Sequence, residues 1–69
     1  MKQIIKKDTN GSIWRKYYVN HLNQYNGLYI GYWNSGNIWY KRNYLNDKKI
    51  GLDYWYNNNN KKLINITYH

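Results

Sequence analysis

The residues best suited to chemistry in this chain are aromatic rings set beside cations. Trp14-x-Lys16 and Trp39-x-Lys41 repeat one pairing at a spacing of two, which on a β-strand puts ring and ammonium on the same face. Arg15 and Arg42 then fall on the opposite face, where a planar guanidinium can hold a phosphate through two parallel hydrogen bonds. Rings stack nucleobases while basic groups meet phosphates, so the pattern points to a nucleotide or a short nucleic acid. The same residues have a structural alternative: Trp rings buried between subunits, with Lys stems lying along the margin.

Groups for bond-making chemistry are scarce. The chain has two His, three acidic residues (all Asp) and no Cys. His21 falls in an expected loop, and His69 is the last residue of the sequence. Asp8 and Asp47 read as turn residues; Asp53 falls in an expected strand beside Trp55, placed to pair with a Lys. There is no phosphate-cradling glycine loop, no dinucleotide fingerprint and no metal-ligand spacing. The expectation is a non-enzymatic protein with no metal and no cofactor.

Composition supports an anionic partner. The formal net charge is +8, from eleven basic residues against three acidic ones. Such an excess favours nucleic acid, nucleotides or an anionic membrane surface; it also keeps a chain rich in Trp and Tyr soluble. Asn, Lys, Ile and Tyr supply 40 of the 69 residues, all with AT-rich codons, as expected of an AT-rich bacterial, phage or viral genome. Codon bias does not explain why Phe is absent while Tyr occurs ten times. Tyr adds a hydroxyl to the ring, which suits half-wet surfaces and binding sites.

These side chains must be positioned by strands. Ala and Glu are missing, β-branched and aromatic residues dominate the runs, and Asn and Gly punctuate them. The pattern predicts six short strands: about Gln3–Lys6, Ile13–Val19, Leu28–Trp33, Ile38–Leu45, Leu52–Tyr56 and Lys62–Tyr68. The connections between them, residues 7–12, 20–27, 34–37, 46–51 and 57–61, are short enough to force antiparallel neighbours. The asparagine run at 57–60 reads as a loose hairpin tip. The expected fold is an all-β antiparallel meander, one domain over residues 1–69.

A three-residue loop at Asn34-Ser35-Gly36, with Gly36 in the left-handed region, sets Trp33 opposite Asn37. It further predicts Gly31 opposite Trp39 and Tyr29 opposite Lys41. One face is then aliphatic and Tyr-rich, with Ile13, Leu28, Ile30, Ile38, Leu52, Ile64 and Ile66. The other gathers Trp14, Lys16, Trp33, Trp39, Lys41 and Trp55, with Gly31 leaving a gap beneath Trp39.

The chain also repeats itself. Asn10-Gly11-Ser12-Ile13-Trp14 returns as Ser35-Gly36-Asn37-Ile38-Trp39, and Gly27, Leu28, Tyr32 and Tyr44 return as Gly51, Leu52, Tyr56 and Tyr68. Repeat units fall at about 10–33, 34–56 and 57–69, the last one worn down. Tyr29, Gly31, Trp33 and Gly36 read Tyr-x-Gly-x-Trp-x-x-Gly, and in this the chain resembles MORN repeats. Tyr32-Trp33, Ser35-Gly36-Asn37-Ile38, Tyr44 and the turn from Asn46 to Gly51 are similar to the MORN-like repeats of YwqK-type antitoxins. The two further glycines of the MORN pattern are missing after Asn37, and Asn60 stands where the third unit would have Gly. The resemblance implies a ribbon of β-hairpins and a role in protein contacts, dimerisation or lipid-surface binding, with no shared chemistry.

A chain this short buries a modest core, and it has no Cys for a disulfide, so a symmetric homo-oligomer is expected. No segment is apolar enough to span a membrane, and residues 1–8 lack the apolar stretch of a signal peptide. The leading expectation is a cytoplasmic protein of a bacterial or virus-infected cell that captures a phosphate-bearing ligand. One concrete version is a phage or viral protein that sequesters a nucleotide signal of host defence. The expected ligand-binding residues are Trp14, Lys16, Tyr29, Trp33, Trp39, Lys41, Arg42 and Trp55. The alternatives are a MORN-like protein-interaction module or antitoxin and a binder of anionic membrane surfaces.

Overall fold

The computed structural model describes residues 1–69 as six β-strands and no helix: β1 (Lys2–Lys7), β2 (Ile13–Val19), β3 (Tyr25–Tyr32), β4 (Ile38–Leu45), β5 (Lys48–Tyr56) and β6 (Leu63–Tyr68). They form one antiparallel sheet in sequential order, the meander that short connections require. No helix is long and apolar enough to cross a membrane.

β2 and β4 have the bounds the pattern predicts, whereas β3 and β5 start earlier. The reason is Gly27 and Gly51. Both read as loop residues, yet both lie inside strands at positive φ, +105° and +69°. Gly27 in β3 and Gly51 in β5 sit where the pairing register shifts, so here glycine marks a bulge and not a turn. The true β4–β5 turn is Asn46-Asp47, with φ of +49° and +71°, values that Asn and Asp tolerate.

The β3–β4 loop is as expected: Trp33 N–H donates to Asn37 O, and Gly36 has φ +91°. Beyond it the register departs from expectation. A bulge at Trp39 pairs Gly31 with Tyr40, not Trp39, and Tyr29 with Arg42, not Lys41. One extra residue moves every later side chain to the other face. Lys41 therefore sits beside Ile30 on the aliphatic face, where the β2–β3 pairing also places Lys16. Tyr40, Arg42 and Tyr44, expected on that face, gather on the opposite one with Tyr29, Tyr17 and Arg15.

The sheet is a thin plate, 36 × 32 × 12 Å, and only Val19, Tyr29, Ile30, Gly31 and Asp53 are buried. Asparagines stitch adjacent hairpins together tip to tip. At one end Asn20 Nδ2 donates to Asn46 Oδ1 (3.1 Å), and Tyr25 N–H donates to Asp47 Oδ1 (2.7 Å). At the other end the asparagine run, expected to be loose, is engaged: Asn57 Oδ1 accepts from Asn59 N–H (2.7 Å), and Asn58 O accepts from Asn37 Nδ2 (2.8 Å).

Candidate ligand-binding face

Alternation along β2, β3 and β4 places Tyr17, Tyr29 and Arg42 side by side, with Tyr25, Tyr40 and Tyr44 around them. Tyr29 is the centre. Its ring stacks on Tyr17 at 5.0 Å and on Tyr40 at 6.2 Å, and meets Tyr25 edge-on at 5.3 Å. Tyr40 continues the array: Trp55 lies 5.2 Å away and Trp39 5.3 Å, and Trp39 in turn stacks on Trp33 at 4.6 Å. Eight rings thus form one connected array across β2 to β5. Gly31 makes this possible. A methyl built on it would collide with the Tyr40 ring, so the gap in the sheet is filled by Tyr40 rather than standing open beneath Trp39.

Two guanidiniums are set into the array. Arg15 donates to the Tyr29 hydroxyl at 3.1 Å and lies over the Trp14 ring at 4.5 Å, linking Trp14 to the tyrosines. Arg42 lies over Tyr40 at 4.4 Å and over Trp55 at 5.2 Å. Burial raises the pKa of Tyr29, with Arg15 opposing the shift. Burial alone would lower the pKa of Arg42; its interactions with Tyr44 and Asp53 outweigh that and raise it.

Asp53, 1 % exposed, anchors the β5 end of the face. Its Oδ2 is 3.6 Å from Arg42 Nε and 2.8 Å from His69 Nε2. Its partners are thus an Arg and a His, not the Lys expected. His69 N–H also donates to Gly51 O at 2.7 Å, so the last residue of the sequence is fastened to β5 at two points.

Beside the β2–β3 and β4–β5 turns, the tyrosine face carries an open groove of about 780 Å³. Tyr17, Tyr25 and Tyr44 line it, with Ile4 and Val19, and Lys6 and Lys49 bring ammonium groups to it. Asp47 also lines the groove, but its carboxylate is engaged with the Tyr25 backbone.

Of the expected ligand residues, Tyr29, Trp33, Trp39, Arg42 and Trp55 come together in the array, and Trp14 joins it through Arg15. Lys16 and Lys41 lie on the other face. The groove residues Lys6, Tyr17, Tyr25, Tyr44 and Lys49 were not singled out from the sequence. The signal for part of them is there: Arg15 and Tyr17, and Tyr40, Arg42 and Tyr44, interleave guanidinium and ring at a spacing of two. Lys6 and Lys49 carry no such signal, because only cross-strand pairing brings them to Arg15 and Tyr44. No family model, no curated protein and no solved structure matches this chain.

Proposed function

We propose that this chain is a non-enzymatic binding protein that captures a phosphate-bearing ligand, a nucleotide or a short single-stranded nucleic acid, on its tyrosine face. The observation that carries this is the groove of about 780 Å³, floored by Tyr17, Tyr25 and Tyr44 and reached by Lys6 and Lys49. Its volume is within the range of about 300–1,000 Å³ common for small-molecule sites. An open sheet face with half-buried rings and exposed cations is a suitable platform for bases, since every base has a π-face. Each stacked base contributes roughly 1–3 kcal/mol, and the ammonium groups add a salt-sensitive attraction. Capture without turnover fits sequestration of a nucleotide signal in the cytoplasm of a bacterial or virus-infected cell.

Fluorescence titration with a panel of nucleotides and oligonucleotides tests the reading, at low and at raised salt. Saturable binding that falls with salt and is lost in Lys6→Gln/Lys49→Gln and in Tyr44→Leu is expected. Binding indifferent to all three substitutions removes the structural basis.

A second reading rests on the opposite face. Ile5, Leu28, Ile50, Leu52 and Ile66 are each 37–48 % exposed, an apolar surface unusual for a monomer. Such a face suits a MORN-like contact module or the homo-oligomer expected of so small a core. Sedimentation equilibrium of wild type against Leu28→Lys/Ile66→Lys decides whether copies associate through it.

A further inference from the structure

The hairpin tips at residues 33–37 and 57–61 lie side by side and are tied together. Asn37 Nδ2 donates to Asn58 O at 2.8 Å, Ser35 Oγ hydrogen-bonds the Asn58 side chain, and Trp33 Nε1 donates to Tyr56 O at 3.3 Å. Between them is a cleft of about 310 Å³, lined by Gly36, Asn37, Ile38, Lys41, Tyr56 and Lys61. It is at the opposite end of the plate from the tyrosine groove, and Lys41 belongs to the opposite face.

Two observations bear on what the cleft takes. Its charge is one-sided: two of its six lining residues are lysines and none is acidic. Both ion pairs in the structure end on Asp53, so neither lysine is neutralised. Lys41 Nζ is held 5.7 Å from the centre of the Tyr56 ring, which positions the ammonium in advance. Independently, the backbone of Lys61 is left-handed, φ +60°. The other non-glycine residues in that region are Asn23, Asn46 and Asp47, types that tolerate it. The turn contains four asparagines, yet the left-handed position is held by a lysine. That position closes the hairpin loop as Gly36 closes the neighbouring one, and it fixes Lys61 at the edge of the cleft.

We infer that this cleft is an anion site for a phosphate group, with Lys41 and Lys61 as its charged donors. It does not depend on the tyrosine face binding anything.

The test is an NMR titration of the full chain with inorganic phosphate at low ionic strength. Saturable shifts centred on Gly36, Asn37, Lys41 and Lys61 are expected. Lys41→Gln/Lys61→Asn should weaken binding about tenfold or more, the range for lost charged hydrogen bonds. Asn at 61 accepts the left-handed backbone, so the fold is retained and spectral dispersion verifies it. Lys6→Gln/Lys49→Gln, which alters the tyrosine groove, should leave phosphate binding at this cleft unchanged. A second arm offers vesicles with and without phosphatidic acid: displacement of phosphate by the acidic vesicles alone assigns the source to a lipid headgroup, and no displacement assigns it to a free phosphate. Shifts spread over all the lysines without saturation, or binding that survives Lys41→Gln/Lys61→Asn, would overturn the inference.

Discussion

Gly31→Ala is the sharpest probe of the register and of the array it supports. A Cβ at position 31 would overlap Cε1, Cζ and the hydroxyl of Tyr40, so the ring must leave. Tyr40 is in contact with Tyr29, Trp39 and Trp55, and Arg42 lies over it. Each aromatic pair contributes about 0.5–1.5 kcal/mol beyond its burial, so displacing Tyr40 from three of them costs roughly 1.5–4.5 kcal/mol. The backbone at Gly31 is not left-handed, so Ala recovers about 0.4–1 kcal/mol by restricting the unfolded chain. The net expected loss is about 0.5–4 kcal/mol, against the roughly 3–10 kcal/mol that a chain of this length has in total. Urea unfolding followed by Trp fluorescence reads it. The double-mutant control is decisive. In a Tyr40→Ala background Gly31→Ala should become harmless, whereas in a Trp39→Ala background it should remain costly. Gly31→Ala without effect, or rescue by Trp39→Ala rather than Tyr40→Ala, would refute the pairing of Gly31 with Tyr40.

Other outcomes follow from the same contacts. Asp53→Asn removes the charge that half-buried Arg42 faces at 3.6 Å and weakens the contact to His69, and should cost about 1–3 kcal/mol; urea unfolding measures it. Tyr29 has its pKa raised by burial, so the folded state resists ionising it. Its contribution to stability is complete below the unfolded value near pH 10 and is lost as pH rises through the higher folded value. Titration at 295 nm should show an ionisation step above the ordinary tyrosine range, and Tyr29→Phe should remove it. Asp47→Ala severs the carboxylate from Tyr25 N–H and strains the left-handed turn, with an expected loss of about 1–3 kcal/mol in thermal unfolding. Asp47→Gly, which relieves the strain, should lose less.

Strand number and order were legible because short connections rich in Asn and Gly leave few alternatives to a meander. The left-handed Gly36 loop was legible too, since few residue types accept that backbone. The faces were not, and the cause is local. Trp39 sits in a bulge with no distinctive signature, and a single extra residue there exchanges Lys41 for Arg42 beside Tyr29. Gly27 and Gly51 misled in the same way, because glycine serves bulges as well as turns. The array was half visible: alternation within β4 correctly groups Tyr40, Arg42 and Tyr44, but which neighbours they meet depends on cross-strand pairing. The turn asparagines read as punctuation, whereas Asn20, Asn37 and Asn58 join one hairpin to the next.

The central claim is that the tyrosine groove holds a phosphate-bearing ligand. Chemical-shift mapping with a nucleotide and oligonucleotide panel at low salt tests it most directly. Saturable shifts concentrated on Lys6, Tyr17, Tyr25, Tyr44 and Lys49, weakening as salt is raised, are expected. Absence of saturable binding across the panel, or shifts confined to the face of Leu28, Ile30 and Ile66, would contradict it.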